Sequence, residues 1–148
     1  MHKLITMFGL TICALAAHAE TELMINEPYV RATPPNITTS AVFAHLHNHA
    51  DMPVTIVSAT TPAAGSVELH TVETEGDVMK MRQIDQLVIP PNQHLALKPG
   101  GLHIMLFDLS QPLVEGESIN LEFTFADGHH QSFTAPVKKV LPAMKHHH

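Results

Sequence analysis

The most telling stretch of the 148-residue sequence reads Lys98-Pro99-Gly100-Gly101-Leu102-His103-Ile104-Met105-Leu106-Phe107. Proline followed by two glycines is typical of a tight turn. After the turn, apolar side chains alternate with His103 and Met105, and successive side chains of a strand point to opposite faces. The stretch therefore predicts a β-strand with one face in the core and an imidazole beside a thioether on the other face.

Similar short alternating runs, separated by Pro, Gly, Asn and Asp, extend in both directions from this strand, and apolar residues at helical spacing are almost absent. Nine short strands with explicit turns between them favour an all-β sandwich in a single domain. The predicted strands are Ile25–Arg31, Ala41–Asn48, Val54–Ala59, Ser66–Val72, Val78–Ile84, His94–Leu97, His103–Phe107, Ile119–Phe125 and Gln131–Val137.

The first nineteen residues carry the pattern of a secretory signal. A basic start precedes an apolar run that ends in Ala17-His18-Ala19, which predicts cleavage after Ala19. A membrane anchor is the rival interpretation, but the run is well short of the roughly 20 apolar residues that span a bilayer. A lipoprotein signal at Cys13 is a further alternative, although β-branched Ile12 stands where a small residue is preferred. We therefore expect a signal peptide over residues 1–19, a β-sandwich domain over 20–140 and a flexible Met/His tail over 141–148.

Removing this leader leaves a chain without cysteine, with seven basic and fourteen acidic residues and a net charge of −7. An acidic chain is a poor partner for nucleic acid. The lack of a thiolate argues against a blue-copper electron-transfer centre, which needs one. No arrangement of Ser, His and Asp or nucleophile elbow indicates an active site. The sequence therefore predicts a protein that is not an enzyme.

Four separated residues, His70, Met81, His103 and Met105, form a candidate ligand set. Thioether sulfur is soft and suits Cu(I) better than harder cations. Residues 66–72 and 78–84 are predicted to form a hairpin, which would bring His70 near Met79 or Met81. The alternating His45, His47 and His49 leave a zinc-binding protein open, and a purely structural sandwich module is the third possibility.

The sequence resembles the periplasmic copper chaperones of the PCuAC type. That family's motif is a His, ten residues, a Met, twenty-one residues and then His-x-Met, and His70, Met81, His103 and Met105 match both gaps. The surrounding segments are also similar to the family: residues 30–35, 62–70, 78–82 and 98–107. One departure is Thr71, where the family can have Met.

The resemblance implies a cupredoxin-like Greek-key β-sandwich that binds one Cu(I) through the two His and two Met. It also implies delivery of copper in the periplasm to an acceptor such as the Cu(A) site of cytochrome c oxidase subunit II or another assembly factor. Copper or zinc scavenging that supplies an importer is the alternative. A monomer is expected, without membrane insertion after signal cleavage. The ending Met144-Lys145-His146-His147-His148 is similar to tails that some family members carry, which implies a second copper site there. A truncated purification tag is the alternative explanation of this ending.

Overall fold

A computed structural model describes residues 23–139, and this part of the chain contains strands and no helix. The predicted signal peptide and Met/His tail, with Cys13 and His146–His148, lie outside the described residues. No described helix is therefore long and apolar enough to cross a membrane. The ten strands are β1 Leu23–Arg31, β2 Ser40–Asn48, β3 Val54–Thr60, β4 Ala64–Glu75, β5 Val78–Ile84, β6 Leu87–Ile89, β7 His94–Leu97, β8 His103–Leu109, β9 Ser118–Phe125 and β10 His130–Lys138.

All nine predicted strands are present, and β5 and β7 have the predicted bounds. The additional strand is β6, three residues long, which pairs with β3 through Leu87 opposite Ile56 and Ile89 opposite Val54. A run of three apolar residues is too short to show alternation. Its place against β3 depends on pairing between residues distant in sequence, which local pattern does not reveal.

The strands form one hydrogen-bonded path in the order β5-β4-β8-β2-β1-β10-β9-β3-β6, and β7 pairs with β2 outside this path. A parallel pair, β1 with β10, joins two antiparallel halves. One half is β5-β4-β8-β2-β1 with β7, and the other half is β10-β9-β3-β6. Within each half, every neighbouring pair of strands is antiparallel, including pairs that are distant in the chain, such as β2 with β8 and β3 with β9.

One apolar core lies between the two halves. Ile104 of β8 and Val42 of β2 are fully buried in it, together with Phe123 of β9 and Ile56 of β3 from the other half. Because each half supplies one apolar face to the same cluster, the sheet is folded over on itself as a sandwich. The prediction of an all-β sandwich is confirmed, and Ile104 lies on the core face as the alternation predicted.

The β4–β5 hairpin is longer and tighter than the sequence suggested. The predicted connection covered residues 73–77, but β4 continues to Glu75 and β5 begins at Val78, so only Gly76 and Asp77 connect them. Gly76 has a φ of 62°, a left-handed conformation that glycine adopts at little cost. This two-residue turn sets the register of the hairpin.

Candidate metal centre

The register of β4, β5 and β8 places all four predicted ligands on the face of the sheet that points away from the core. His70 lies directly opposite His103 across the β4–β8 ladder, and Met105 lies opposite Glu68. Met81 lies opposite Val72, two residues along β4 from His70. Directly opposed residues share a face, as do residues two apart in a strand. The structure therefore brings together what the sequence separates by up to 35 residues.

His103 is held by the turn that precedes β8. Its ring is buried, with 3% of the residue exposed, and Nδ1 lies 2.9 Å from the Gly101 carbonyl oxygen. The turn itself is closed by the Gly101 amide, which donates to the Lys98 carbonyl. Because a carbonyl can only accept, Nδ1 carries the proton and donates. Nε2 is then an acceptor, and it is buried without a hydrogen-bond partner.

His70 shows the complementary arrangement. Its Nε2 lies 2.6 Å from Oε2 of Glu68, and its side chain is 11% exposed. The carboxylate accepts, so Nε2 carries a proton. The other nitrogen, Nδ1, is buried without a partner. A carboxylate or carbonyl bonded to one ring nitrogen is the usual way in which proteins orient a metal-binding histidine.

The two rings lie side by side, with centroids 5.6 Å apart. Metal–imidazole bonds are about 2 Å long, so two rings bound tetrahedrally to one ion have centroids roughly 5 Å apart. A buried acceptor without a partner costs about 1–3 kcal/mol, and such atoms are rare in native proteins. Two of them on facing histidines fit a site that a cation completes.

The sulfur atoms belong to side chains around an adjoining cleft of about 420 Å³. Met81 and Met105 line it with His103, and so does Met79. Met81 is 63% exposed, whereas Met105 is half-buried. The centre therefore has a buried imidazole side and an open thioether side. Met81 therefore lies at the open side of the cleft, while His103 lies beneath the surface.

Aromatic rings surround the histidines. Phe107 lies 6.0 Å from the His70 ring and Phe43 lies 6.3 Å from the His103 ring, measured between centroids. Arg31 lies over Phe43, with its guanidinium carbon 5.5 Å from the ring centroid. These rings form apolar walls beside the two histidines, whose unpaired nitrogens are buried. Neutral imidazole is the form that binds metal.

A second group of histidines lies further along β2, on the same face. His47 is opposite His94 of β7, and their ring centroids are 3.8 Å apart in a stacked arrangement. The ring centroid of His49 lies 3.9 Å from that of His47. Partial burial lowers the pKa of His47, and the positive charges that His49 and His94 can carry lower it further. The sequence indicated His45, His47 and His49 but missed His94, because only the β2–β7 register joins it to them.

Comparison with known proteins places this chain in a family. Residues 23–137 match the LpqE-like family, whose description is that of a lipoprotein. The chain belongs to the LpqE-like family. A relative of similar sequence is Lxx21020 of Leifsonia xyli subsp. xyli, which is named as a lipoprotein. It is 33% identical over 141 residues, covering 89% of this chain and 84% of the relative.

Solved structures extend the likeness of this LpqE-like protein to three dimensions. CuI-DR1885 of Deinococcus radiodurans is 34% identical, with a TM-score of 0.65, over 86% of this chain and 83% of that one. Apo-DR1885 is 31% identical, with a TM-score of 0.65, over 95% and 97%. The apo PCuAC domain from PmoF1 is 22% identical, with a TM-score of 0.68, over 80% and 95%. The predictions of a PCuAC-type domain and of its cupredoxin-like fold are confirmed.

Proposed function

We propose that this protein is an exported copper chaperone that carries one Cu(I) ion as its cargo. The ligands are Nδ1 of His70, Nε2 of His103 and the sulfur atoms of Met81 and Met105. The observation that carries the proposal is the pair of unpartnered, buried ring nitrogens on rings 5.6 Å apart, beside a cleft lined by thioethers. Two imidazoles and two thioethers form a soft, uncharged ligand set that favours Cu(I).

The likeness to named copper proteins supports the cargo. DR1885 has a structure in the CuI form at 34% identity, and a PCuAC domain from PmoF2 has a copper-bound structure with a TM-score of 0.68. The described cleft contains no constellation that we assign to acid–base or nucleophilic chemistry. We therefore assign a carrier role rather than an enzymatic one.

The unequal exposure of the ligands suggests how copper leaves. Met81, at 63%, is the most exposed of the four ligands, so an acceptor's ligand replaces it first. Met105 and the two imidazoles then exchange in turn. Neutral ligands do not attract Cu(I) as strongly as thiolates do, so the free energy of transfer favours an acceptor with cysteine thiolates. The thiolate-containing Cu(A) site of cytochrome c oxidase is the acceptor we propose.

Export is part of the proposal. The leader pattern in residues 1–19 and the lipoprotein names of the family and of Lxx21020 support it. The mass of the protein from the membrane and periplasmic fractions of its host distinguishes cleavage after Ala19 from lipidation at Cys13. Either form leaves the described domain intact.

The ligand assignment is tested by anaerobic Cu(I) titration against a competing chelator. The variants are His70→Ala, Met81→Ala, His103→Ala and Met105→Ala, and each should bind Cu(I) at least about tenfold more weakly than the parent, since even outer-sphere partners cost 10–100-fold. Met52→Ala and His129→Ala are controls for a methionine and a histidine outside the cleft, because Met52 is 74% exposed and His129 lies at the β9–β10 turn. Parent-like affinity in all four ligand variants would contradict the proposal.

A further inference from the structure

The histidine group at the far end of β2 carries an inference of its own. His47 has His94 opposite on β7 and His49 beyond it, with centroid distances of 3.8 Å and 3.9 Å. Ala41 lies opposite Met105, and His47 is six residues further along the strand, roughly 20 Å away at 3.3 Å per residue. The group therefore shares no ligand with the Cu(I) centre.

The hydrogen bonds of Asn48 form a frame that holds the backbone next to the three histidines. Asn48, fully buried between His47 and His49 in the sequence, donates from its side chain to the Ile89 and Met52 carbonyls at 3.0 and 2.8 Å. Its side-chain oxygen accepts from the Ala50 amide, and its own amide donates to the Gln93 carbonyl. These bonds tie the segment after β2 to the segment before β7. The frame therefore fixes the backbone that carries the three histidines.

A purely structural role explains this arrangement poorly. Stacked rings contribute only about 0.5–1.5 kcal/mol, and any aromatic pair would supply that. Three histidines instead repel one another when protonated, which is one reason for the lowered pKa of His47. Three neutral imidazoles in contact, however, are a set of nitrogen donors from which a metal site can be made.

The geometry requires a small adjustment before such a site forms. Across residues 23–139, no group of three or more His, Cys, Asp or Glu side chains is already arranged to hold a metal ion, and here the rings stack. Ligation to one ion needs centroids roughly 5 Å apart, so each neighbour must move by about 1 Å. His49 and His94 are exposed, and rotation about their side-chain bonds supplies this movement without disturbing the strands.

We propose that His47, His49 and His94 form a second metal site that binds Cu(II). Imidazole suits borderline divalent ions, and among them the order of affinities places Cu(II) above Zn(II). Met24 lies opposite His47 on its β1 side, but its thioether favours Cu(I) and offers Cu(II) little. The protein then carries two sites of different softness on one face, a His/Met centre for Cu(I) and an imidazole site for Cu(II).

The test is a Cu(II) sulfate titration of the full-length, isotope-labelled protein, followed by paramagnetic broadening of its NMR signals. It is run on the parent and on His70→Ala/His103→Ala, which lacks the imidazoles of the first centre. We expect the signals of His47, His49 and His94 to broaden at substoichiometric Cu(II) in both proteins. Because the broadening is located residue by residue, binding by the terminal histidines is recognised separately.

Variants then assign the ligands. His47→Ala and His94→Ala should each weaken Cu(II) binding at this position at least about tenfold, and His49→Ala, outside the strands, serves if His47→Ala is unstable. His45→Ala and Met24→Ala are controls that should keep parent affinity. Broadening confined to the first centre or to the terminal histidines, or unchanged binding in the His47 and His94 variants, would overturn the second site. Neither result affects the proposal for the Cu(I) centre.

Discussion

His70 and His103 face each other across the β4–β8 ladder with complementary tautomers. Nε2 of His70 donates to Glu68 over 2.6 Å, and Nδ1 of His103 donates to the Gly101 carbonyl over 2.9 Å. Each ring thus keeps its other nitrogen free, and both free nitrogens are buried. Two different anchors, a carboxylate in a strand and a carbonyl in a turn, therefore prepare two histidines for one ion.

Glu68 is predicted to be a positioning residue for Cu(I). Glu68→Ala leaves the Nε2 proton of His70 without its acceptor, so the ring can change tautomer and turn away. We expect Cu(I) affinity to fall about 10–100-fold and the proton distribution of His70, read by long-range ¹⁵N NMR, to become mixed. Glu122→Ala is the control, because Glu122 pairs with His130 on an exposed part of β9. An unchanged tautomer and affinity in Glu68→Ala would show that Glu68 has no such role.

Met81 is predicted to matter for copper and not for stability. Its side chain is 63% exposed, so Met81→Ala should change the free energy of unfolding by no more than about 0.5 kcal/mol while weakening Cu(I) binding. Met79→Ala is matched in exposure at 61% and lies on the same strand face. We expect a smaller loss of affinity from it. The reverse ranking in the chelator competition would assign the ligand to Met79.

Most of the fold follows from alternation, and one part of the site does as well. Ile104 and Leu106 are in the core, and His103 and Met105 are on the other face, because period-two patterns read directly as strand faces. The sequence also predicts the β4–β5 hairpin that brings Met81 near His70, although the turn at Gly76 has two residues and not the five predicted. Local sequence thus predicts which side chains share a face within each hairpin.

The remainder depends on contacts between distant segments. The partner of His47 is His94, 47 positions away in the sequence, and the pair exists only because β7 joins β2 beyond β8. The tautomers of His70 and His103 likewise depend on Glu68 and on the carbonyl of Gly101, whose positions follow from backbone geometry. A local sequence pattern does not determine the register between strands that are not consecutive in the chain.

Gly65 is predicted to be required where β4 pairs with β8. A Cβ atom added at Gly65 would lie 2.9 Å from the Cβ of Asp108, and Asp108 itself has a φ of 52°. Gly65→Ala should therefore lower the free energy of unfolding by about 1–3 kcal/mol, measured by urea denaturation. The same substitution in an Asp108→Gly background should cost less, since the clashing atom is gone. Equal costs in both backgrounds would mean that the contact with Asp108 is not the cause.

Asn48 is predicted to stabilise both the fold and the frame of the histidine group. Asn48→Ala leaves the Ile89 and Met52 carbonyls without its amide donor and the Ala50 amide without its acceptor. We expect the free energy of unfolding to fall by at least about 2 kcal/mol, since each buried group left unpaired costs about 1–3 kcal/mol. Asn120→Ala is the control, because its partner Thr134 is exposed, and it should cost about 0.5 kcal/mol or less. Similar losses for the two variants would contradict the role of burial.

His47 is predicted to titrate below its ordinary pKa of 6.5, chiefly because of partial burial and then because of His49 and His94. Between the lowered pKa of the folded state and pH 6.5, the unfolded chain protonates this histidine more fully than the folded chain does, so the unfolded state binds more protons. Its contribution to stability is therefore full above pH 6.5 and declines as the pH falls toward the folded pKa. An NMR pH titration of the ring protons measures the pKa directly, and His94→Ala should raise it. A pKa of His47 at or above 6.5 in the parent, or no rise in His94→Ala, would show that the stacked histidines do not lower it.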